Sequence, residues 1–316
     1  MKTDIKGLLA AFGMGVGALL IEQLPLIGMA SPAILASAGA LFGTAGFVAA
    51  CLPLVAVLFI NTYGAGLFAM LVIAGGAGYF ASRREHAFDA LVICCAGALA
   101  GIWALFLGAY LQTGDNLLSY LYTNAAADYA DMMNTLFEQA GLTQALSLTG
   151  GTQLQEMIAN TIPACAILYS VAQGFLLLLV PAAAGRAAKR PSIRVPRFYM
   201  WSLPHSFMWG LIFLMAAAYI GLFAKWPGFS GVAYAVQSLF TVALGLQGLS
   251  TLVFFYKAYG NPVLLIIGIV SAALFAFTPL TLAGVLDSAF SLRKRWIEVN
   301  GPVPEKQPPV RRGDDK

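Results

Sequence analysis

The sequence predicts an all-α, polytopic integral membrane helical bundle with eight or nine hydrophobic segments. Three observations predict it. First, 59% of the 316 residues are hydrophobic and only 10% are charged, against about 25% charged in soluble domains, and the mean hydropathy is +0.79. A chain this poor in charge cannot cover a globule with polar surface, so lipid is its solvent. Second, the apolar stretches 64–81, 88–111, 157–182, 204–224, 231–256 and 261–286 each approach the 17–25 residues or so that a helix needs to cross hydrocarbon. Third, the basic residues gather at the borders of those stretches, which also removes the net charge of +4 as a nucleic-acid signal.

The N-terminal "MKTDIKGLLAAFGMGVGALLI" has the basic start and apolar core of a signal peptide. No small-x-small cleavage site follows directly, and the stretch is read as the first span. Residues 7–61 are broken by "EQLPLIG" and "GTAG", leaving room for two comfortable spans or three short ones. "GALFG" (Gly39, Gly43), "GALAG" (Gly97, Gly101) and Gly13, Gly15 and Gly17 predict close helix packing.

Charge then orients the chain, because basic residues prefer the cytoplasmic side. Lys2 and Lys6, Arg83 and Arg84, and the cytoplasmic basic loop 183–198 (Arg186, Lys189, Arg190, Arg194, Arg197) are expected inside. Residues 112–156 carry Asp115, Asp128, Asp131, Glu138 and Glu156 with no Lys or Arg, and are expected outside. Within them Tyr129, Met132, Met133, Leu136, Phe137 and Ala140 recur with helical period, predicting an amphipathic helix that rests on the outer surface or lids an outward cavity. Thr152 and Gln155 have the spacing of a capping box.

Arg293, Lys294 and Arg295 place the C-terminal tail inside, and one way to reach that side is for 261–290 to split at Pro279 and return as a half-helix. The expected organisation is a membrane domain over 1–292 and a disordered charged tail over 293–316, rich in Pro and charge.

Candidate chemistry is sparse. Cys51, Cys94, Cys95 and Cys165 lie in apolar runs without metal-site spacing. His86 and His205 stand outside any hydrolase or metalloprotease pattern, and no Walker-type loop occurs. Neither an enzyme, a metal site nor a cofactor is expected. Glu22, Asp89 and Asp287 lie near span ends, where the cost of charge is lower, and Asp287 beside Arg293–Arg295 reads as an interfacial anchor.

The most informative stretch is "VQSLFTVALGLQGLSTLVFFYK", residues 236–257. At about 100° per residue, Gln237, Thr241, Gln247, Gly248 and Thr251 share an arc of about 120° on an otherwise apolar helix. Gln237, Thr241, Gln247 and Thr251 are therefore candidate ligand-binding residues, or alternatively hydrogen-bonding glue between helices. "RFYMWSLPHSFMW" combines Arg197, Tyr199, Trp201 and Trp209 as a membrane border, with Pro204 suited to a helix start.

The order "RFYMWSLP", "LGLQGLSTLVFFYK", "LAGVLDSAFSLRKR" resembles the YybS-like family of predicted bacterial multi-pass membrane proteins. The pattern falls on Trp201, Leu203 and Pro204, on Gln247, Gly248, Leu249 and Ser250, and on Gly284, Asp287 and Arg293. More distantly, the chain is similar to the substrate-binding subunits of energy-coupling-factor transporters. That resemblance implies a solute bound from outside and a separate ATPase partner, in the inner (cell) membrane of a bacterium. The alternative is a membrane scaffold or regulator that recruits partners through its basic loop and tail.

Overall fold

The computed structural model describes residues 4–24, 27–114, 116–139, 151–190, 195–226, 229–260, 262–274 and 278–301. These residues are helical with no strand among them, and seven of their helices are long and apolar enough to cross a membrane. The chain forms two compact units, Met1–Val195 with Ala217–Ser238, and Pro196–Ala216 with Leu239–Lys316.

The first unit begins with α1 (Ile5–Glu22), capped by the Asp4 carboxylate, which accepts from the Gly7 N–H at 2.8 Å. Ala11 and Ala18 are buried in the core, so this segment packs as a span. A 3-10 turn (27–30) leads into α2 (Ser31–Cys51), and a second one (53–56) into α3 (Val57–Ile60). Then come α4 (Gly64–Ala81), α5 (Ala87–Thr113), the short α6 (Leu117–Tyr120), a π turn over 121–125, α7 (Ala126–Gln139) and the long α8 (Gly151–Ala187). Helices α1, α2, α4, α5 and α8 pack on one another, and Gly97 and Gly101 bring α5 against Ala77 and Met70 of α4.

One break shapes this unit. Gly43 sits inside α2 at φ 76°, ψ −167°, a conformation essentially reserved for glycine. The chain reverses there. Ser31 donates to the Ala18 carbonyl at 2.9 Å, while Ala50 backs onto Gly15 of the same helix. Along a straight helix Ser31 and Ala50 would be about 29 Å apart, whereas Gly15 and Ala18 are separated by about 4.5 Å. Both limbs also meet Tyr79: Gly39 packs on its ring, Phe47 stacks on it at 5.6 Å, and Thr44 Oγ1 lies 2.9 Å from its Oη. "GALFG" is therefore half packing site, at Gly39, and half turn, at Gly43.

Helix α7 follows the expected period with its buried ridge shifted by one residue. It packs along α8 through Ala130, with Met133 and Phe137 half-buried, while Tyr129, Met132 and Leu136 are exposed. Ala140 and 141–150 lie outside the described residues, as do the side chains of Thr152 and Gln155.

Helices α9 (His205–Phe223) and α10 (Phe229–Tyr259) each lend one end to either unit. The second unit adds a 3-10 turn over 198–200, α11 (Pro262–Leu274), α12 (Thr278–Phe290) and α13 (Leu292–Asn300). At 13 residues each, α11 and α12 reach about 20 Å, short of the roughly 30 Å hydrocarbon core. The expected disordered tail starts too early: residues 292–300 are helical and Arg293 is buried. Residues 302–316 lie outside the described residues.

Gly43→Ala tests the reversal. A Cβ there would meet nothing within 4 Å, so its whole effect is backbone strain of about 1–3 kcal/mol. Thermal unfolding in detergent should show a lower midpoint for the variant, and an unchanged midpoint would count against the glycine-dependent turn.

Candidate functional site

The polar side chains of the second unit converge on one ion pair. Asp287 is 5% exposed and Arg293 7%. Asp287 Oδ2 accepts from Arg293 Nη2 at 2.6 Å and Nε at 3.0 Å, and Oδ1 accepts from the Arg293 backbone N–H at 3.2 Å. Local geometry makes this possible. Helix α12 ends at Phe290, Ser291 takes a left-handed conformation at φ 51°, and its N–H caps the Asp287 carbonyl at 2.8 Å. The chain turns sharply enough for Arg293, in the first turn of α13, to fold back on Asp287. The carboxylate thereby also serves the helix N-terminus, where negative charge is favoured.

Arg293 does more than neutralise Asp287. Its Nη1 donates to the Trp201 carbonyl at 2.5 Å, to Ser250 Oγ at 2.8 Å and to the Tyr199 carbonyl at 3.2 Å. Ser250 Oγ lies 2.7 Å from the Phe198 carbonyl and 2.9 Å from that of Trp201, and donates its one proton to either. Gln247 bridges the rest: Nε2 donates to Asp287 Oδ2 at 3.1 Å and Oε1 accepts from the Leu203 N–H at 3.1 Å. The Tyr199 and Trp201 carbonyls need these donors because the chain leaves the 3-10 turn there, with Trp201 extended at ψ 124°.

Two glycines let the helices come close enough. A Cβ on Gly248 would overlap the Leu280 carbonyl, and one on Gly284 the Leu244 carbonyl. The crossing is reciprocal, glycine to backbone on both sides. It places α10 against α12 with Gln247 and Asp287 at hydrogen-bond range. Lys257 lies 4.1 Å over the Tyr199 ring. Trp296 of α13 packs on Phe254 at 5.5 Å and donates to Tyr259 Oη at 3.0 Å, seating α13 on the end of α10.

Of the stripe residues, Gln247 and Thr251 are buried. Gln247 has both ends of its amide engaged, and Thr251 Oγ1 donates to the Gln247 carbonyl at 2.9 Å in its own helix. The Thr241 carbonyl accepts from Thr281 Oγ1 at 3.4 Å. Gln237 is exposed. The motif residues behave as a set: Gln247, Gly248, Ser250, Gly284, Asp287, Arg293 and the Trp201 carbonyl form the clasp, and Pro204 directly precedes α9, its carbonyl accepting from Met208 at 3.2 Å. Asp287 is thus a buried partner of Arg293, where the sequence suggested an interfacial anchor. His205 accepts from Trp209 Nε1 at 2.8 Å, and His86 and Asp89 are exposed. Among the described residues no group of His, Cys, Asp and Glu could hold a metal.

The sequence reading missed two incompletely paired polar side chains in the first unit. Gln173 is fully buried in α8 and donates from Nε2 to Tyr169 Oη at 3.2 Å, while its Oε1 has no partner. Glu22, at the end of α1, is half-buried, and its Oε2 is likewise without a partner. The available signal was a lone Gln in the apolar run "SVAQGFLLLLV".

Removing one member of a buried pair strands the other, at a cost of about 3–5 kcal/mol, whereas replacing both by apolar groups costs far less. Arg293→Met should therefore lower the thermal midpoint strongly. Asp287→Leu combined with Arg293→Met should recover part of the loss; equal loss in single and double variants would contradict the pairing.

A family match takes in the clasp as far as Asp287 and ends before Arg293. Residues 16–288 match the family model DUF2232, described as a predicted membrane protein. No curated protein and no solved structure matches the chain. The match runs from α1 through Asp287 and covers more than half of the sequence, so the chain belongs to the DUF2232 family of predicted membrane proteins.

Proposed function

We propose that the chain is a solute-binding, transport-related protein of the bacterial inner membrane, with eight or nine hydrophobic segments entering the bilayer. The observation that carries this reading is the pair of interrupted helices. Residues 27–59 double back at Gly43, and 262–290 divides into two helices of 13 residues. Broken helices at membrane depth are tolerated where they are buried in protein or line a polar cavity, and they form the binding sites of many transporters. The resemblance to the YybS-like family and to energy-coupling-factor substrate-binding subunits points the same way.

In this reading 112–156 lies outside, with α7 able to act as a lid, and the basic loop lies inside. Because the doubled-back stretch enters and leaves on one side, it adds no net crossing between α1 and α4, which puts both Lys2–Lys6 and Arg83–Arg84 on the cytoplasmic side. Energy comes from an ion gradient or a separate ATPase partner. Because the polar atoms of Gln247 and Thr251 have partners within the protein, the stripe from Gln237 and Thr241 to Gln247 and Thr251 could meet a solute only by exchanging those bonds.

One observation favours the scaffold reading. Arg186 and Lys189 of the first unit and Arg197 of the second are each exposed, as recruitment of an acidic partner requires.

Native mass spectra of gently purified protein should carry a reproducible non-lipid adduct. Lipid adducts alone under several growth conditions, with a co-purifying protein lost on Arg186→Ser, Lys189→Ser and Arg197→Ser substitution, would replace the solute-binding reading with the scaffold.

A further inference from the structure

Two apolar ridges of the first unit end at a pair of arginines. On α4 and just beyond it, Ile73, Phe80 and Arg84 follow one another at spacings of seven and four. At about 100° per residue they share an arc of about 40°. Ile73 and Phe80 are exposed, as lipid-facing residues of a span must be, and the Arg84 guanidinium lies 4.6 Å over the Phe80 ring. Beside this ridge, the limb that follows Gly43 presents Thr44, Val48, Leu52 and Val55, all exposed and at spacings of four, four and three. The stack of Phe47 on Tyr79 joins the two. Both finish at the same end, because Thr44 Oγ1 lies 2.9 Å from Tyr79 Oη, and Tyr79 Oη accepts from Arg83 Nη2.

Arg83 and Arg84 are thus each set on a ring, Arg83 at 4.4 Å over Tyr79. Neither contact brings a negative charge. Glu85 stands next in sequence, yet among the described residues no carboxylate is in ion-pair range of either arginine. Two neighbouring like charges held without a counter-ion repel each other, and an anion placed against both relieves the repulsion. The forked donors of arginine match a phosphate group. Phosphate chemistry alone would suit a free anion as well as a lipid. The ridges decide between them, since the rings fix the guanidiniums where the apolar wall ends, and this is the depth of phospholipid headgroups. Basic sites between membrane helices bind anionic headgroups in this way.

We propose that Arg83 and Arg84 hold the phosphate of an anionic diacyl phospholipid, with Tyr79 and Thr44 positioning Arg83 and the acyl chains lying along the Phe80 and Val48 ridges. The site lies wholly in the first unit and does not depend on the solute-binding reading. It also uses none of Arg186, Lys189 and Arg197, whose substitution tests the scaffold.

The test is thermal unfolding of the purified full chain in detergent, titrated with dioleoyl phosphatidylglycerol or with dioleoyl phosphatidylcholine, which has the same chains and a phosphate but no net charge. A ligand that binds only the folded state raises the midpoint with its concentration. Phosphatidylglycerol should raise it in a saturable way, and phosphatidylcholine should not. Arg83→Gln combined with Arg84→Gln alters two exposed positions, so the variant should still fold. It should need at least about tenfold more phosphatidylglycerol for half the effect, as loss of a charge-assisted hydrogen bond implies. Lys294→Gln with Arg295→Gln removes the same charge from two exposed residues of the second unit and should keep the wild-type response. Equal effects of the two lipids, or an undiminished response in the Arg83–Arg84 variant, would overturn the proposal. Equal losses in the two double variants would overturn it in favour of diffuse charge. Inorganic phosphate at constant ionic strength should have no effect; stabilisation by it equal to that by phosphatidylglycerol, and lost in the Arg83–Arg84 variant, would overturn the lipid in favour of a free anion. None of these outcomes bears on the solute adduct, so the two readings can fail separately.

Discussion

The second unit depends on the Arg293 guanidinium. An extended backbone in an apolar environment has carbonyls that no helix satisfies, and each one left bare costs several kcal/mol. Residues 199–203, where the 3-10 turn gives way to extended chain at Trp201, are such a segment. Arg293 supplies donors to the Tyr199 and Trp201 carbonyls, while Asp287 keeps the guanidinium neutralised. Gln247 closes the network on the Leu203 N–H. The Gly248–Gly284 crossing has meaning only in this setting. Without it α10 and α12 would stand too far apart for Gln247 to reach Asp287.

The first unit solves the same problem with less chemistry. Alanine and glycine bring α1, α2, α4, α5 and α8 into backbone contact, where dispersion and close packing hold helices together in lipid. Its one sharp reversal is handed to a glycine, and its basic end is tied down by Arg190, which donates to the Leu41 carbonyl beside the turn. Against that economy Gln173 stands out, a fully buried amide whose oxygen has no partner.

Much of the architecture was legible in the sequence because lipid imposes it. Span-length apolar runs, the acidic 112–156 segment and the helical period of α7 all follow from hydropathy and periodicity. The polar stripe of α10 was legible too, but its partners were not. Gln247 meets Asp287 forty residues away, and its other contact is a backbone N–H that any residue would have supplied. Trp201 reads as an aromatic anchor, yet its contribution is a carbonyl. Arg293 was hidden by its neighbours, since three consecutive basic residues read as a membrane border. The discriminating signal was the spacing of Arg293, Trp296 and Ile297, which puts the arginine on the apolar face of α13 while Lys294 and Arg295 are exposed. Gln173 escaped notice because one amide barely changes the hydropathy of a long span.

The distance along the chain between the partners of the clasp has a consequence for biosynthesis. The Trp201 carbonyl waits for a donor 92 residues downstream, and Asp287 waits for the helix that follows it. During translation the 199–203 segment, α10 and α12 must all be delivered to the bilayer before the guanidinium that satisfies them emerges. Until then the second unit exposes unpaired carbonyls and a carboxylate to its surroundings. Closure of the clasp is thus a late event in assembly, and a nascent chain halted before Arg293 would leave these polar groups unpaired.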